Sequence, residues 1–95
     1  MSKIENLVYS YGIYPCLSYL KKIVEQEEYE IANILITEFK EIYTKSKHEE
    51  IRKYLNIYDL DKLEELLYKN MPIARGNLPY YEMEVSKELD TYFNR

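Results

Sequence analysis

Apolar side chains recur every third or fourth residue through most of this 95-residue chain. The spacing is clearest in the first segment, at Ile4, Leu7, Val8 and Tyr11. Ser2 and Glu5 form a possible capping box before these positions, and Gly12 suits a left-handed stop after them. The pattern predicts a helix over residues 3–11, and no segment shows the alternation that is typical of a strand.

Similar apolar stripes predict further helices over residues 47–55, 60–69 and 80–94. Their expected boundary residues are Ser46 and Glu49 as a second capping box, Asp59 as an N-cap, Asn70 as a helix end and Pro79 as a helix start. Residues 15–45 allow two interpretations, because their stripe breaks at residues 25–28 without Gly or Pro. We expect a hairpin of two helices that begins at Pro15 and turns at this acidic break, and one bent helix is the alternative.

The chain contains only two glycines and three prolines. These are too few for the many tight turns of a β-sandwich or β-barrel. We therefore predict an all-α fold, a single small irregular bundle of five or six short helices. One domain spans residues 1–95, and residues 70–80 form its main loop before the last helix. A domain of this size has a thin stability margin, and a large enclosed active-site cavity is not expected.

The charge balance points away from nucleic acids and membranes. Seventeen acidic residues outnumber 13 basic ones, for a net charge of −4 and a pI of about 5.0. No cluster of Lys and Arg is visible that could neutralise phosphates, so direct nucleic-acid binding and anionic membrane binding are not expected. The balance instead suits a protein partner with a basic surface.

Cellular location and source are inferred from composition. Cys16 is a lone cysteine and cannot form an internal disulfide, and no segment has the length and apolarity of a signal peptide or membrane span. We therefore expect a cytoplasmic protein. Lys, Ile, Glu, Asn and Tyr are abundant, as AT-rich codons would encode, so a low-GC bacterium or one of its phages is the expected source.

Residues suited to catalysis or metal binding are scarce. The single histidine, His48, and Cys16 are 32 positions apart, and no third group is evident that would orient them as a catalytic pair. We interpret Cys16 as a small buried hydrophobic residue and His48 as part of a solvated helix start. No second His and no Cys pair completes a zinc site, so we predict no metal and no cofactor.

Twelve tyrosines, with no Trp and two Phe, are the most distinctive feature of the composition. Periodicity assigns Tyr11, Tyr81 and Tyr92 to the core. It places six others at the surface: Tyr14, Tyr19, Tyr43, Tyr58, Tyr68 and Tyr80. Because Tyr and Arg dominate interface hot spots, the partner-binding candidates are Arg75, Tyr80, Tyr68 and Tyr58. The alternative is that the tyrosines reflect codon usage and packing at the rim of the core.

The segment from Val85 to Phe93 contains Ser86-Lys87-Glu88-Leu89-Asp90. It resembles the Ser-Gln-Glu-Leu-Asp signature of the small sporulation aspartyl-phosphate phosphatases, which lies on the second helix of a helical hairpin. Residues 60–69 would correspond to the first helix. The resemblance implies removal of a phosphoryl group from a response-regulator aspartate, with Ser86, Glu88 and Asp90 at the functional positions. Lys87 replaces the Gln of the signature, and residues 1–58 have no counterpart in the family.

These observations lead to three functional hypotheses. The first is a non-enzymatic regulator or inhibitor that binds another protein, encoded by a phage or mobile element and similar in class to anti-CRISPR or other anti-defence inhibitors. The second is the response-regulator phosphatase. The third is a helical DNA-binding module built from residues 46–69, which the acidic pI disfavours. A homodimer is compatible with all three, because a thin core often gains stability by self-association.

Overall fold

Helices make up most of the part of the chain that the structure describes. The computed structural model describes residues 2–44, 49–70 and 75–95, without the side chains of Asn70 and Arg75. Within these residues it contains six α-helices and no strand, which confirms the predicted all-α bundle. The helices are α1 (Lys3–Tyr11), α2 (Ile13–Glu25), α3 (Tyr29–Ile42), α4 (Glu49–Lys53), α5 (Leu60–Asn70) and α6 (Leu78–Tyr92), and a short 3₁₀ helix (Arg75–Asn77) precedes α6.

A single glycine separates α1 from α2. Ser2 Oγ accepts a hydrogen bond from the Glu5 N–H at 3.0 Å, so Ser2 is the N-cap of α1. Gly12 has φ +88° and ψ 170°, a combination that is essentially restricted to glycine. The positive φ agrees with the prediction, but the extended ψ lets α2 begin at once, at Ile13. The predicted start at Pro15 was two residues late; Pro15 lies within the first turn, where a missing N–H costs little.

The break in the stripe at residues 25–28 is a turn, so the hairpin is confirmed and the single bent helix is wrong. The Glu28 N–H bonds to the Ile23 carbonyl at 3.1 Å, and the Glu27 N–H bonds to the Val24 carbonyl at 3.0 Å. These two bonds form a Schellman motif, in which Glu27 adopts the left-handed position with φ 58°. Glutamate stands where glycine is usual, which explains why no glycine marks the turn.

Glu27→Gly is expected to raise the free energy of unfolding by about 1 kcal/mol, because glycine adopts the left-handed conformation without the steric cost of a β-carbon. Urea unfolding followed by circular dichroism measures the change. Gln26→Gly is the matched control: Gln26 has φ −83°, so glycine there only adds freedom to the unfolded chain. Equal effects of the two substitutions would contradict this account of the turn.

A side-chain network shapes the turn between α4 and α5. Asn56 Oδ1 accepts hydrogen bonds from the Tyr58 N–H at 2.9 Å and from the Asp59 N–H at 3.1 Å. Asn56 Nδ2 donates to Asp59 Oδ2 at 2.8 Å. The carboxylate of Asp59, the residue before α5, is therefore bound to Asn56 of the turn. The helix predicted over 47–55 is described only from Glu49 and ends at Lys53, and Ser46 and His48 lie outside the described residues.

The predicted loop at 70–80 ends earlier in the structure than expected. Residues 71–74 lie outside the described part of the chain. From Arg75 the backbone is already helical, and α6 begins at Leu78 with Pro79 in its first turn. Pro79 therefore marks the helix start, as predicted, but the helix extends two residues before the expected boundary because proline is compatible with the whole first turn. Asn70 ends α5, as predicted.

α2 is the central helix, in contact with α1, α3, α5 and α6. It is buried on more than one face, and its buried residues are Ile13, Tyr14, Pro15, Cys16, Leu17, Tyr19, Leu20 and Ile23. Cys16 is fully buried, which confirms its interpretation as a core residue. Buried residues from all six helices belong to one hydrophobic cluster.

Four tyrosines differ from their predicted burial, and Tyr81, also expected in the core, is only partly buried. Tyr14, Tyr19 and Tyr43 were expected at the surface but are 5%, 3% and 6% exposed. Tyr14 and Tyr19 do lie beside the main stripe of α2, but neighbouring helices also cover that side, and Tyr43 packs into the common core as α3 ends. Tyr92 was expected in the core but is 50% exposed, because α6 ends there and Phe93 packs against the core instead.

Candidate functional site

The seam between α2 and α6 carries both buried apolar contacts and polar contacts at its edge. Val85 and Leu89 are fully buried, as the apolar spacing predicts. Ser86 and Asp90 each follow one of these residues and are only partly buried, so they lie a turn apart at the edge of the seam. The sequence therefore brings two polar side chains of α6 to the side of α2.

Two residues of the phosphatase-like signature are engaged in contacts within the chain. Ser86 Oγ accepts a hydrogen bond from Lys22 Nζ at 3.1 Å. Glu88 Oε2 lies 2.6 Å from Lys3 Nζ, and this contact lowers the pKa of the Glu88 carboxyl. The two residues thus connect α6 to α2 and to α1.

The third signature residue, Asp90, belongs to a polar cluster at the end of α6. Asp90 Oδ1 accepts a hydrogen bond from the Tyr19 hydroxyl at 2.8 Å and another from Arg95 Nη1 at 3.1 Å. Arg95 Nε lies 2.6 Å from Glu28 Oε2, and Arg95 Nη2 donates to Gln26 Oε1. One guanidinium therefore joins the end of α6 to the α2–α3 turn, and the Asp90 carboxylate is part of that connection.

An open groove runs along the same seam, beside the Lys22–Ser86 contact. Its volume is about 250 Å³. It is lined by Pro15, Ser18, Tyr19 and Lys22 from α2 and by Glu82, Met83 and Ser86 from α6. Met83 is 59% exposed on the rim, and Tyr80 is one turn earlier on α6 and 56% exposed. The groove combines an exposed apolar rim with an ammonium group, two serine hydroxyls and the carboxylate of Glu82.

The predicted partner-binding residues lie on different elements. Tyr58 is 88% exposed in the turn before α5 and lines a separate groove beside Lys21. Tyr68 is half-exposed on α5 and stacks on Tyr14, with ring centroids 4.7 Å apart. Tyr80 lies on α6, 6.0 Å from the Tyr81 ring. Arg75 is in the 3₁₀ helix before α6, and its side chain is outside the described part.

Sequence reasoning missed Ser18, Lys22 and Met83 as candidate site residues. Ser18 and Lys22 are four positions apart on α2, so they share a helix face. That spacing was available in the sequence, but nothing in it identified α6 as the neighbour of this face. Met83 was missed because it lies outside the Tyr81, Val85, Leu89 and Tyr92 stripe that predicted the last helix.

Burial raises the pKa of four groups in the core, Tyr14, Cys16, Tyr19 and Tyr43. Burial raises the pKa of the Cys16 thiol from its ordinary value of 9.0 to about 12. It likewise raises the pKa of the Tyr19 and Tyr43 hydroxyls from 10.0 to about 12. These groups stay neutral at physiological pH, so Cys16 lacks the thiolate that a nucleophile requires.

The free energy of unfolding is expected to fall as pH rises from about 9 to about 12, because these groups ionise in the unfolded chain before they do so in the fold. Their contribution to stability is complete below pH 9 and is lost progressively above it. Urea unfolding at stepped pH measures the fall, and Cys16→Ala should remove its earliest part. Stability that is constant through pH 11 would contradict the assigned pKa shifts.

The described residues contain neither a metal-binding cluster nor a membrane-spanning helix. Among residues 2–44, 49–70 and 75–95, no three His, Cys, Asp or Glu side chains are arranged to hold a metal ion. None of the described helices is both long and apolar enough to cross a membrane.

No protein-family model matches this chain, and comparison with curated proteins and with solved structures gives no significant match.

Proposed function

We propose that this chain is a non-enzymatic protein-binding module and that its partner docks on the α2–α6 seam. The observation that carries the proposal is the exposure of Met83, at 59%, on the groove, with Tyr80 one turn earlier on α6 and 56% exposed. Aromatic and methionine side chains are enriched at interfaces, because each buries a large area when a partner covers it. Their exposure side by side in the free chain supports an interface there.

The size of the groove also favours a protein partner over a small-molecule ligand. Pockets for drug-sized ligands span roughly 300–1,000 Å³ and enclose most of the ligand. The groove between α2 and α6 has a volume of about 250 Å³ and is open along the seam. A space of this size and shape suits one or two side chains that project from a larger surface.

Within this class, we propose a cytoplasmic regulator or stoichiometric inhibitor, in the manner of phage-encoded anti-CRISPR or other anti-defence proteins. The net charge of −4 supports a partner with a basic surface. Glu25, Glu27 and Glu30 are exposed around the α2–α3 turn and add local negative potential. Arg75 and Tyr58 remain candidates for further contacts with the partner.

Tyr80→Ala is expected to weaken partner binding by about 2 kcal/mol, or roughly thirtyfold in Kd, because it removes an exposed aromatic anchor. The partner is first captured on the immobilised protein from the lysate of a low-GC bacterium in moderate salt. Surface plasmon resonance then compares the wild type, Tyr80→Ala, Met83→Ala and Arg75→Ala.

Tyr9→Ala is the matched control, since Tyr9 is 67% exposed but lies on α1. Its affinity should equal that of the wild type, and the urea midpoint of each variant verifies folding. Wild-type affinity in both Tyr80→Ala and Met83→Ala would remove the α2–α6 seam as the interface.

The phosphatase hypothesis is a second candidate, favoured by the position of Ser86 and Asp90 on one side of α6 with Lys22 beside Ser86. It predicts that the chain shortens the lifetime of the aspartyl phosphate on a sporulation response regulator and that folded Asp90→Ala protein does not. The engagement of Asp90 with Tyr19 and Arg95 weighs against it. An unchanged lifetime with the wild-type chain would end this hypothesis.

No described feature favours the DNA-binding alternative. α4 has five residues, and α5 carries three carboxylates against two lysines. A recognition helix needs positive charge to approach phosphates, and α5 has a small negative excess. We therefore do not propose direct contact with nucleic acid.

A further inference from the structure

The ammonium group of Lys22 is held in the α2–α6 groove by contacts that leave its charge uncompensated. Lys22 Nζ donates to Ser86 Oγ at 3.1 Å and lies 5.4 Å from the centre of the Tyr19 ring. It forms no ion pair with a carboxylate of the described residues. The neighbouring Lys21 differs, because its ammonium lies 3.1 Å from Asp61 and 3.4 Å from Glu64.

The groove has more hydrogen-bond donors than the chain itself uses. An ammonium group has three donors, and Ser86 takes one from Lys22. The Ser86 hydroxyl accepts that bond and keeps its own hydrogen to donate. The Ser18 hydroxyl lines the same groove and has no hydrogen-bond partner among the described residues. Such a set of donors around a positive charge is complementary to an anionic oxygen ligand.

Two further features indicate a peptide rather than a free anion. Met83 forms an exposed apolar part of the groove wall, which a free phosphate would not use. Glu82 lines the groove as well, and its carboxylate opposes any anion there, a peptide carboxylate included, but it can accept backbone N–H groups, which a peptide has and a free phosphate lacks. The lining therefore suits a peptide segment that carries an acidic side chain next to an apolar one.

We propose, building on the protein-binding function, that the groove receives a carboxylate side chain of the partner, bound by Lys22, Ser86 and Ser18. The adjacent apolar side chain of the partner packs on Met83. The chain as a whole is acidic and suits a basic partner surface. The contact at Lys22 is the reverse, because a positive group of this chain binds a negative group of the partner. Such a reversed pair sets the register of docking, because a shift along the seam takes the partner's carboxylate away from the Lys22 ammonium.

Selection from a displayed library of random twelve-residue peptides tests this ligand chemistry. The library is selected in parallel against the wild type, Lys22→Gln and Lys21→Gln. Peptides enriched by the wild type and by Lys21→Gln should carry Asp or Glu beside an apolar residue. Lys22→Gln should lose that preference, since it keeps most of the side-chain volume but removes the charge. Enrichment without an acidic preference, or no enrichment at all, would overturn the proposal.

Fluorescence anisotropy with the most enriched peptide gives the quantitative test. Lys22→Gln is expected to weaken its binding at least tenfold, and Ser86→Ala provides a second variant that keeps Lys22. The same peptide with Gln in place of its acidic residue should bind the wild type as weakly as the original binds Lys22→Gln. Equal binding of the acidic and Gln peptides, or tighter binding of inorganic phosphate alone, would contradict a peptide carboxylate site.

Tyr80→Ala separates this inference from the proposed function. If Tyr80→Ala weakens binding of peptides or of the captured partner but Lys22→Gln does not, the seam is an interface and the carboxylate site is wrong. If neither substitution changes binding, both proposals fail. If both weaken it, the partner's acidic residue is then located by charge reversal, with Lys22→Glu rescued by Lys at that position of the partner.

Discussion

Burial of α2 is the constraint on which the rest of the bundle depends. A chain of 95 residues cannot build a wide core, so it surrounds one helix with its neighbours and shares the buried surface among them. The apolar residues Leu17, Leu20 and Ile23 drive this packing. The cost is that polar atoms on the flanks of α2 must find partners, which they do in α6: Tyr19 with Asp90 and Lys22 with Ser86. The polar contacts of the candidate site are thus a consequence of how α2 is buried.

Local signals in the sequence were sufficient for most helix boundaries, because their physics acts over a few residues. Ser2, Gly12, Pro79 and Asn70 mark real helix starts or ends in the structure. The α2–α3 turn was placed correctly from its acidic break, although its left-handed residue is a glutamate. α6 ends in the same manner, with Asn94 at φ 57° and the Arg95 N–H bonded to the Asp90 carbonyl at 2.8 Å. Hydrogen bonds and flanking contacts stabilise these turns, and composition alone does not reveal them.

Local reasoning could not predict which tyrosines are buried or which helix faces form the groove. Periodicity identifies one apolar face of a helix, but a central helix such as α2 has several covered faces, so Tyr14 and Tyr19 were misassigned. The partner of Lys22 lies 64 positions away, and no spacing rule links the two residues. Of the interface candidates, Tyr80 lies one turn before Met83 of the groove on α6, whereas Tyr58 and Tyr68 have other neighbours. Which helix faces meet is a property of the whole bundle.

The two walls of the groove come from distant parts of the sequence, so binding in the groove depends on folding. Lys22 and Ser86 meet only when α2 and α6 are packed, so the unfolded chain has no such groove. A partner that binds there stabilises the native state by mass action, by about 2.7 kcal/mol at a concentration one hundred times its Kd. For a domain with a thin stability margin this is a large fraction of the total. The free chain would accordingly be degraded faster than the bound one, and its cellular abundance would follow that of its partner.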